Sequence, residues 1–391
     1  MSKNNTLLIK NVRIITETVC KENGCIKVVD GKITAIMDAI GDDVESSVVD
    51  GNGLTAIPGF IDSHIHGANG ADVMDATPEA METMAKALPK EGTTSFLATT
   101  ITQSDQNIEA ALKNVGAYDN KPGQAEVVGV HLEGPFISTK RAGAQPEKFI
   151  QQADLEKFNH WQTLAKNKIK TITMAPETDP TGEFIKALSA QGINVSAGHT
   201  DAGINEMKKA ISQGVSQVTH IANAMTGIHH RDIGVVGATL LLDQIKAELI
   251  ADGIHVSPEM IELIYQNIGS ERLMLITDAL RAKCLPPGEY DLGGQMATVN
   301  HEKAVLSDGT LAGSILRMID AAKNMTEFTE ADMQDIVQMT AVNPAKQLDI
   351  YDRKGSISIG KDADIVLIDN NWRVHYTICR GNIAYSIQEK E

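Results

Sequence analysis

The sequence predicts an α/β fold in which a (β/α)8 barrel of the TIM type is joined to a small β-sandwich built from both chain ends. Three observations support this fold class. Strand-like runs alternate with helical patterns through the middle of the chain, both ends are β-rich without helices, and histidines or acids follow the runs where they end. We therefore expect a β-sandwich domain at 1–55 and 351–391 and a catalytic barrel at 56–350.

Composition limits the functions that such a chain can have. The 391 residues are 42% hydrophobic and 22% charged, which is typical of soluble globular proteins. The formal net charge of −16 argues against nucleic acid and anionic membranes as partners. We expect a cytoplasmic protein, because the sequence shows neither a secretory apolar segment near Met1 nor an apolar run of membrane-spanning length.

Both chain ends contain short β-rich runs, and neither end has enough of them to bury a face alone. We therefore expect the two ends to pair. The runs lie at 7–9, 12–15, 26–29, 33–36, 355–357, 363–369 and 373–379, with turns predicted at Asn23-Gly24 and Asp30-Gly31. Cys20 and Cys25 flank the first predicted turn, but no other feature indicates an oxidising compartment, which does not favour a disulfide.

Between the ends, eight strand-like runs alternate with helical patterns. The first run ends at His66, and the others lie at 94–100, 127–133, 169–175, 194–198, 217–221, 247–252 and 273–277. Helices are predicted at 78–88, 183–190 and 202–213, the first with Thr77 as N-cap and Pro78 at its first position. Eight such units imply a closed parallel barrel.

The first barrel strand ends in a His-x-His motif. Residues two apart on a strand point to the same face, so His64 and His66 project together. Two imidazoles at a rigid strand end supply half of a divalent-metal site. For an isolated motif, a buried strand with two hydrogen-bonded histidines is the favoured interpretation, so the residues that accompany the motif decide between the two.

Five further titratable residues fall at the ends of other predicted strands. These are Glu133, His199, His220, His255 and Asp278. All strand ends of a barrel open on one face, where active sites lie. Glu133, His199 and His220 together supply the ligand set of a catalytic divalent cation. Asp278 could bind the metal, act as acid or base, or do both, and His255 could be a core residue or a substrate contact.

Several motifs give the chain a family resemblance over nearly its whole length. They are Pro-Gly-Phe-Ile-Asp-Ser-His-Ile-His-Gly, His-Leu-Glu-Gly-Pro-Phe, Lys-Arg-Ala-Gly-Ala-Gln-Pro, Ala-Gly-His-Thr, Thr-His-Ile-Ala-Asn-Ala-Met, Ile-Thr-Asp-Ala and Gly-Thr-Leu-Ala-Gly-Ser. The chain resembles the amidohydrolase superfamily and, within it, the deacetylases of N-acetylglucosamine 6-phosphate. The His-x-His motif is superfamily-wide, whereas His-Leu-Glu-Gly-Pro-Phe, Asn-Ala-Met and Leu-Ala-Gly-Ser together are specific to the deacetylases.

The resemblance implies one or two divalent cations per chain, with zinc or iron as the expected metals. Glu133, His199 and His220 would hold the main catalytic cation. His64 and His66 would hold a second one beside it, sharing Glu133 or a bridging hydroxide. The resemblance makes Asp278 the catalytic acid/base as well as a candidate ligand, and it makes His255 a stabiliser of negative charge or a contact of the sugar or its phosphate.

The resemblance also implies a phosphorylated N-acetyl amino sugar as substrate and a homodimer as the assembly. The implied substrate contacts are Ala144, Gln145, Asn223, Ala224, Arg231, His255, Leu311, Ala312 and Gly313. Arg231 suits a phosphate, because a guanidinium forms planar, charge-assisted hydrogen bonds. Some relatives carry a histidine at the position of Gln145, which leaves the sugar contact there open.

Three alternatives remain to be weighed. The first is another amidohydrolase, such as a cyclic-amide hydrolase or a deaminase. Strand four ends in Thr-Met-Ala-Pro-Glu without a lysine that could be carboxylated to bridge two metals, which counts against the cyclic-amide hydrolases. A deacetylase for N-acetylgalactosamine 6-phosphate differs at one sugar hydroxyl and stays open. A metal-free protein on the same scaffold should have lost ligands, yet all six candidate ligand or catalytic positions are filled.

Overall fold

The structure, a computed structural model, describes residues 5–38 and 47–387. Its centre is a barrel of eight parallel strands in which each strand pairs with the next one along the chain. Labelled β1 to β8, the strands span Phe60–Ile65, Thr93–Thr100, Glu126–Glu133, Ile169–Met174, Asn194–Ala197, Val215–Val218, Lys246–Leu249 and Leu273–Leu275. The predicted barrel is confirmed.

The barrel closes through the segment that follows β8. Ile65 forms a parallel bridge with Ala279. The Asp278 amide donates to the His64 carbonyl at 2.8 Å, and the His66 amide donates to the Ala279 carbonyl at 2.9 Å. Beside this seam, the Asp62 carboxylate accepts a 2.6 Å hydrogen bond from the Thr277 hydroxyl. Closure therefore sets the His-x-His motif next to Asp278.

A helix follows each barrel strand before the chain returns to the sheet. Labelled α1 to α8, the helices span Pro78–Ala87, Asp105–Ala117, Leu155–Leu164, Glu183–Ala190, Ile204–Gln213, Gly234–Leu241, Pro258–Arg272 and Met318–Phe328. The predicted cap of α1 is confirmed, since the Thr77 hydroxyl accepts from the Ala80 amide at 3.2 Å and Pro78 follows. Shorter helical segments at Met333–Val337, Gln338–Val342 and Asn343–Gln347 follow α8.

The two faces of the barrel strands differ in polarity. Outward residues such as Ile172 and Val218 belong to the apolar core shared with the helices. Inside the barrel, the Thr219 hydroxyl lies 2.6 Å from the hydroxyls of both Thr173 and Ser196. These three hydroxyls satisfy one another's hydrogen bonds and form a polar layer below the open end of the barrel.

Strands from both chain ends form one separate eight-stranded sheet. Its strands are Thr6–Ile15, Cys20–Val29, Lys32–Met37, Ser47–Asp50, Thr55–Pro58, Ile365–Ile368, Val374–Cys379 and Asn382–Ser386. Thr55–Pro58 pairs antiparallel with Ile365–Ile368, which joins the two ends. Lys32 bridges Asp362, so the sheet curls around an apolar core that includes Ile9, Ile26 and Leu367.

The strand bounds adjust the expected domain division. Because Thr55–Pro58 belongs to the sheet of the chain ends and β1 begins at Phe60, we propose Gly59 rather than residue 55 as the boundary. The C-terminal part of that unit remains proposed at 351–391. Residues 1–4, 39–46 and 388–391 of the expected unit lie outside the described residues.

The turn predicted at Asn23-Gly24 is wrong. Both residues lie inside the strand Cys20–Val29, and the chain reverses at 16–19 instead. Gly24 opposes Val12 at a register shift, so this glycine marks a bulge and not a hairpin turn. Cys20 and Cys25 consequently lie on one strand and are both free. The turn predicted at Asp30-Gly31 is confirmed.

An antiparallel hairpin insertion between β8 and α8 was not predicted. Its strands span Gly288–Leu292, Gln295–Val299 and Ala304–Val305. The insertion packs Leu292 and Ala297 against Leu280, beside the open end of the barrel. Of the helices that the structure describes, none has the length and apolar character needed to cross a bilayer.

Candidate active site

The predicted acidic and histidine residues converge at the open end of the barrel. His66 Nε2 lies 3.3 Å from Glu133 Oε2 and 3.2 Å from Asp278 Oδ1. His64 Nε2 lies 3.5 Å from Glu133 Oε1 and 3.5 Å from Asp278 Oδ1. His64 lies on β1 and His66 directly follows it, Glu133 ends β3, and Asp278 follows β8. One buried group of four side chains thus combines two imidazoles with two carboxylates.

A second group of ligands shares Glu133. His199 Nε2 and His220 Nε2 each lie 3.2 Å from Glu133 Oε1. The two Nε2 atoms are 3.1 Å apart. Both carboxylate oxygens of Glu133 therefore face imidazole nitrogens, Oε1 on the His199 and His220 side and Oε2 on the His66 side. Such a carboxylate can bridge two cations.

The hydrogen bonds of the imidazoles show that the residues fit divalent cations. His199 Nδ1 donates to the Arg141 carbonyl at 2.9 Å, which leaves a lone pair on its Nε2. His64 Nδ1 lies 3.0 Å from Glu248 Oε2, and its buried Nε2 has no hydrogen-bond partner. Lone pairs of imidazoles and carboxylates that meet in a buried space repel one another unless a cation lies between them. The donor set suits zinc or iron.

Without a cation, protons balance the same carboxylates. Burial disfavours a charged His66, but hydrogen bonds to Asp278 and Glu133 outweigh it and raise the pKa of His66 to about 10. Burial likewise opposes an ionised Asp278, yet the charge of His64 and the hydrogen bond from His66 lower the pKa of Asp278 to about 2. The pKa of Glu133 falls well below its usual range despite burial, chiefly because His64 lies close to it. Cations and protons therefore compete for this site.

Several site residues have a left-handed backbone. The φ angle is 47° at His199, 31° at His220, 49° at Ala224 and 48° at Asp278. Non-glycine residues enter this region at a cost of about 1–3 kcal/mol each, which the surrounding structure must offset. These residues lie just past the ends of β5, β6 and β8, where the chain turns its side chains toward the barrel axis.

A cavity of about 220 Å³ lies over the two ligand groups. Among the residues predicted to contact substrate, those that line it are Ala144, Gln145, Asn223, Ala224, His255, Leu311 and Gly313. His66, Glu133, His199, His220 and Asp278 form its floor. The ligand groups and most of the predicted substrate contacts therefore share one chamber.

Two predicted contacts lie elsewhere, and a third has another partner. Arg231 is exposed on the turn before α6, where its guanidinium contacts His230 Nε2 at 2.6 Å, and it does not line the cavity. Ala312 is fully buried against the hairpin insertion. The Gln145 amide lines the cavity but donates to Glu133 Oε2 at 2.7 Å, so it holds the shared carboxylate.

Sequence reasoning missed the residues that orient the site. Asp252 Oδ2 lies 2.6 Å from His255 Nδ1 and fixes that ring toward the cavity. Glu248 contacts His64, and the His131 ring packs edge-on against His64 with centroids 4.5 Å apart. One sequence signal was available for Glu248: side chains alternate between the two faces of β7, and this alternation directs Glu248 into the barrel. Ile101, Leu292 and Thr310 also line the cavity without having been predicted.

Comparisons with known proteins agree with this geometry. The amidohydrolase family matches residues 55–384 of the chain. The N-acetylglucosamine-6-phosphate deacetylase of Bacillus subtilis (strain 168) is 47% identical over 99% of each chain, and that of Lysinibacillus sphaericus is 45% identical over 97% of each. The crystal structure of N-acetylglucosamine-6-phosphate deacetylase from Thermotoga maritima superimposes with a TM-score of 0.87 at 33% identity, covering 97% of this chain and 99% of that one.

Proposed function

Since this chain belongs to the amidohydrolase family, we propose that it is a metal-dependent deacetylase that converts N-acetylglucosamine 6-phosphate to glucosamine 6-phosphate and acetate. The observation that carries the proposal is the pair of ligand groups that share Glu133 on the floor of one cavity, with Asp278 beside them. Relatives that share nearly the whole chain at 45–47% identity carry the same activity in their names.

The ligand groups divide into two cation positions. Glu133, His199 and His220 form the first, and His64, His66 and Asp278 form the second with Glu133 shared between them. A divalent cation lowers the pKa of a bound water from about 15.7 to about 7 and polarises a carbonyl, which supplies what hydrolysis of an unactivated amide needs. We propose two such cations per chain, zinc or iron.

Asp278 is the proposed acid/base. Its carboxylate is ionised at neutral pH, lies within 3.2 Å of His66 Nε2 and faces the cavity. It can accept the proton of the attacking water and then deliver that proton to the nitrogen of the departing sugar amine. Attack by water forms the new C–O bond and cleavage breaks the C–N bond, which gives acetic acid and the free amine. The acid then loses its proton to the amine, so one water balances the formation of acetate and the ammonium form of the sugar.

His255 is proposed to stabilise charge on the substrate. Its Nδ1 pairs with Asp252 at 2.6 Å, so its Nε2 is free to face the cavity that it lines. Burial disfavours its imidazolium, but the hydrogen bond and charge of Asp252 raise the pKa of His255. A charged His255 can donate to the acetyl oxygen or to a sugar or phosphate oxygen.

The phosphate needs an ammonium or guanidinium partner that the cavity itself does not contain. Among the described residues that line it, no lysine or arginine occurs. Arg231 is exposed and lies outside the cavity of its own chain. We propose that the chain forms a homodimer in which Arg231 reaches the phosphate bound by the other subunit. The cytoplasmic location expected from the sequence is part of the same proposal.

Acetate release tests the proposal directly. Protein purified without added metal is assayed for its metal content by elemental analysis and for acetate release from N-acetylglucosamine 6-phosphate. The galactosamine epimer serves as the matched substrate. Two cations per chain with release from the glucosamine substrate support the proposal. Faster release from the epimer would reassign the substrate, and absence of both metal and release after metal is added back would overturn the enzyme assignment.

A further inference from the structure

Glu248 is a fully buried carboxylate inside the barrel that the proposed reaction does not use. It lies on β7, below the cation positions. Its Oε2 is 3.0 Å from His64 Nδ1, and its Oε1 accepts the Gln217 side-chain amide at 2.6 Å. His64 is the basic residue that pairs with it. A buried carboxylate is costly unless hydrogen-bond partners satisfy it, and these two contacts supply the partners of Glu248.

The direction of the hydrogen bonds around Glu248 is fixed by Lys246, two residues earlier on β7. Lys246 can only donate, and its Nζ donates to Gln347 Oε1 at 2.8 Å. Gln347 therefore presents its amide to Asn194 Oδ1, Asn194 presents its amide to Gln217 Oε1 at 2.8 Å, and Gln217 donates to Glu248. Every side-chain amide in this series of hydrogen bonds therefore has a defined orientation, and the series ends on Glu248 Oε1.

The remaining oxygen of Glu248 determines the tautomer of His64. A carboxylate oxygen accepts hydrogen bonds, so His64 Nδ1, 3.0 Å from Glu248 Oε2, is the donor and carries the proton. The lone pair then lies on Nε2, which points at Glu133 and Asp278. The edge-on contact with His131 restricts rotation of the same ring.

The partner histidine of the motif has no such support. His66 Nδ1 is buried without a hydrogen-bond partner, as is His220 Nδ1. His199 Nδ1 donates to the Arg141 carbonyl, a backbone group. Among the four ligand histidines, the contacts of the described residues thus give His64 alone a side-chain carboxylate at Nδ1. Carboxylates in this role tune the affinity of a metal–histidine bond.

We propose that Glu248 is a positioning residue that holds His64 in the Nδ1–H tautomer and thereby sets cation affinity at the position formed by His64 and His66. The inference rests on the two-cation centre proposed above. The inference predicts different behaviour at the two cation positions, because the affinity of the position formed by Glu133, His199 and His220 does not depend on Glu248.

The fixed direction of the amide chain gives a specific test with Glu248→Gln. The new carboxamide must present its oxygen to the Gln217 amide, so its NH2 group faces His64 and requires a lone pair on Nδ1. The proton then moves to Nε2, where a cation should bind. We expect the dissociation constant at this position to rise about 10–100-fold, so that Co²⁺ titration finds one tight cation per chain instead of two.

A second exchange should reverse the effect. In Gln217→Glu combined with Glu248→Gln, residue 217 still accepts from Asn194 and now also accepts the amide of residue 248. The oxygen of residue 248 then faces His64 and restores its Nδ1–H tautomer. We expect two tight Co²⁺ ions again, with the visible absorption spectrum of the wild-type complex. A merely structural role for Glu248 would not be rescued in this way.

The control is Glu156→Gln, the same exchange at an exposed glutamate of α3, which should keep both cations. Glu248→Asp, which withdraws the carboxylate by one methylene, is the second variant if Glu248→Gln does not fold, and it should weaken the same position. Melting temperatures identify folded variants.

Two results would overturn the inference: two tight cations in folded Glu248→Gln, or no recovery of the second cation in the folded double variant. The proposed function would still stand in either case if the wild type releases acetate. A wild type that binds fewer than two cations would overturn the inference together with the two-cation centre.

Discussion

The Nε2 atoms of His199 and His220 lie 3.1 Å apart, and the same oxygen of Glu133 lies 3.2 Å from each. At least the His199 nitrogen carries a lone pair, because its Nδ1 donates to a backbone carbonyl. Three electron-rich atoms at such distances in a buried pocket make a stable arrangement only around a proton or a cation. This relationship supports the proposed main cation position independently of any comparison.

Removing the cations should abolish turnover reversibly. We expect dialysis against a chelator to eliminate acetate release and the addition of Zn²⁺ or Fe²⁺ to restore it, because the ligands stay in place. Glu133→Gln should prevent recovery, since it removes the carboxylate that both positions share. Glu183→Gln, the same exchange at an exposed residue of α4, is the matched charge control and should recover fully. Undiminished release by protein shown to be metal-free would contradict the proposal.

Asp278→Asn should separate binding from chemistry. The amide keeps the shape of the side chain but cannot take up the proton of water at neutral pH, so we expect kcat to fall about 10²–10⁴-fold. The cation at Glu133, His199 and His220 should be retained and is counted by elemental analysis. Asp320→Asn, at a half-buried residue on α8 that pairs with Arg317, serves as control. A kcat close to that of the wild type would remove the acid/base role from Asp278.

The stability of metal-free protein should fall as the pH rises, because His66 loses its proton. The folded pKa of His66 is raised to about 10, above its unfolded value of about 6.5. Its protonation therefore stabilises the metal-free fold fully below pH about 6.5, and this contribution is lost as the pH rises toward about 10. We expect the melting temperature of metal-free protein to fall across this window and that of His66→Asn to fall less. Equal slopes in both metal-free proteins would refute this origin.

How far the sequence predicts the site depends on what each residue touches. His64, Glu133 and Asp278 were predictable because a barrel brings every strand end to one face. Glu248 was not, since its role depends on which inward side chain of β7 meets His64 across the barrel. Arg231 follows its motif neighbours closely in sequence, yet the turn before α6 carries it away from the cavity. Local motifs therefore predict which side chains meet at the strand ends better than they predict contacts across the barrel.

The bulge at Gly24 shows the same limit in the fold. Asn-Gly is a strong local turn signal, but the pairing of Cys20–Val29 with Thr6–Ile15 continues through it. Burial of Ile9 and Ile26 on one face of that sheet is a tertiary gain that overrides the local preference. The hairpin insertion after β8 was also missed, because its short strands bury a small satellite core and do not contribute to the barrel pattern.

Arg231→Ala should affect phosphorylated substrate alone. A charge-assisted hydrogen bond contributes about 1.5–3 kcal/mol, so we expect KM for N-acetylglucosamine 6-phosphate to rise about 10–100-fold with kcat little changed. The low kcat/KM for unphosphorylated N-acetylglucosamine should stay the same. Light scattering should show a dimer. A monomeric active enzyme would contradict the proposed contribution from the other subunit, as would an equal loss on both substrates.

Lys354 should prove essential to the junction between the barrel and the sheet of the chain ends. It is 1% exposed, and its ammonium contacts Asp364, next to the strand Ile365–Ile368, and Glu126 of β3 at 2.8 Å. Lys354→Met leaves two carboxylates without their buried partner, which costs about 3–5 kcal/mol in comparable pairs. We expect urea unfolding to show this loss, whereas Lys113→Met on the exposed face of α2 should change stability by less than about 0.5 kcal/mol. A loss for Lys354→Met as small as that of the control would show that Arg353, which also pairs with Glu126 at 2.6 Å, suffices to hold the junction.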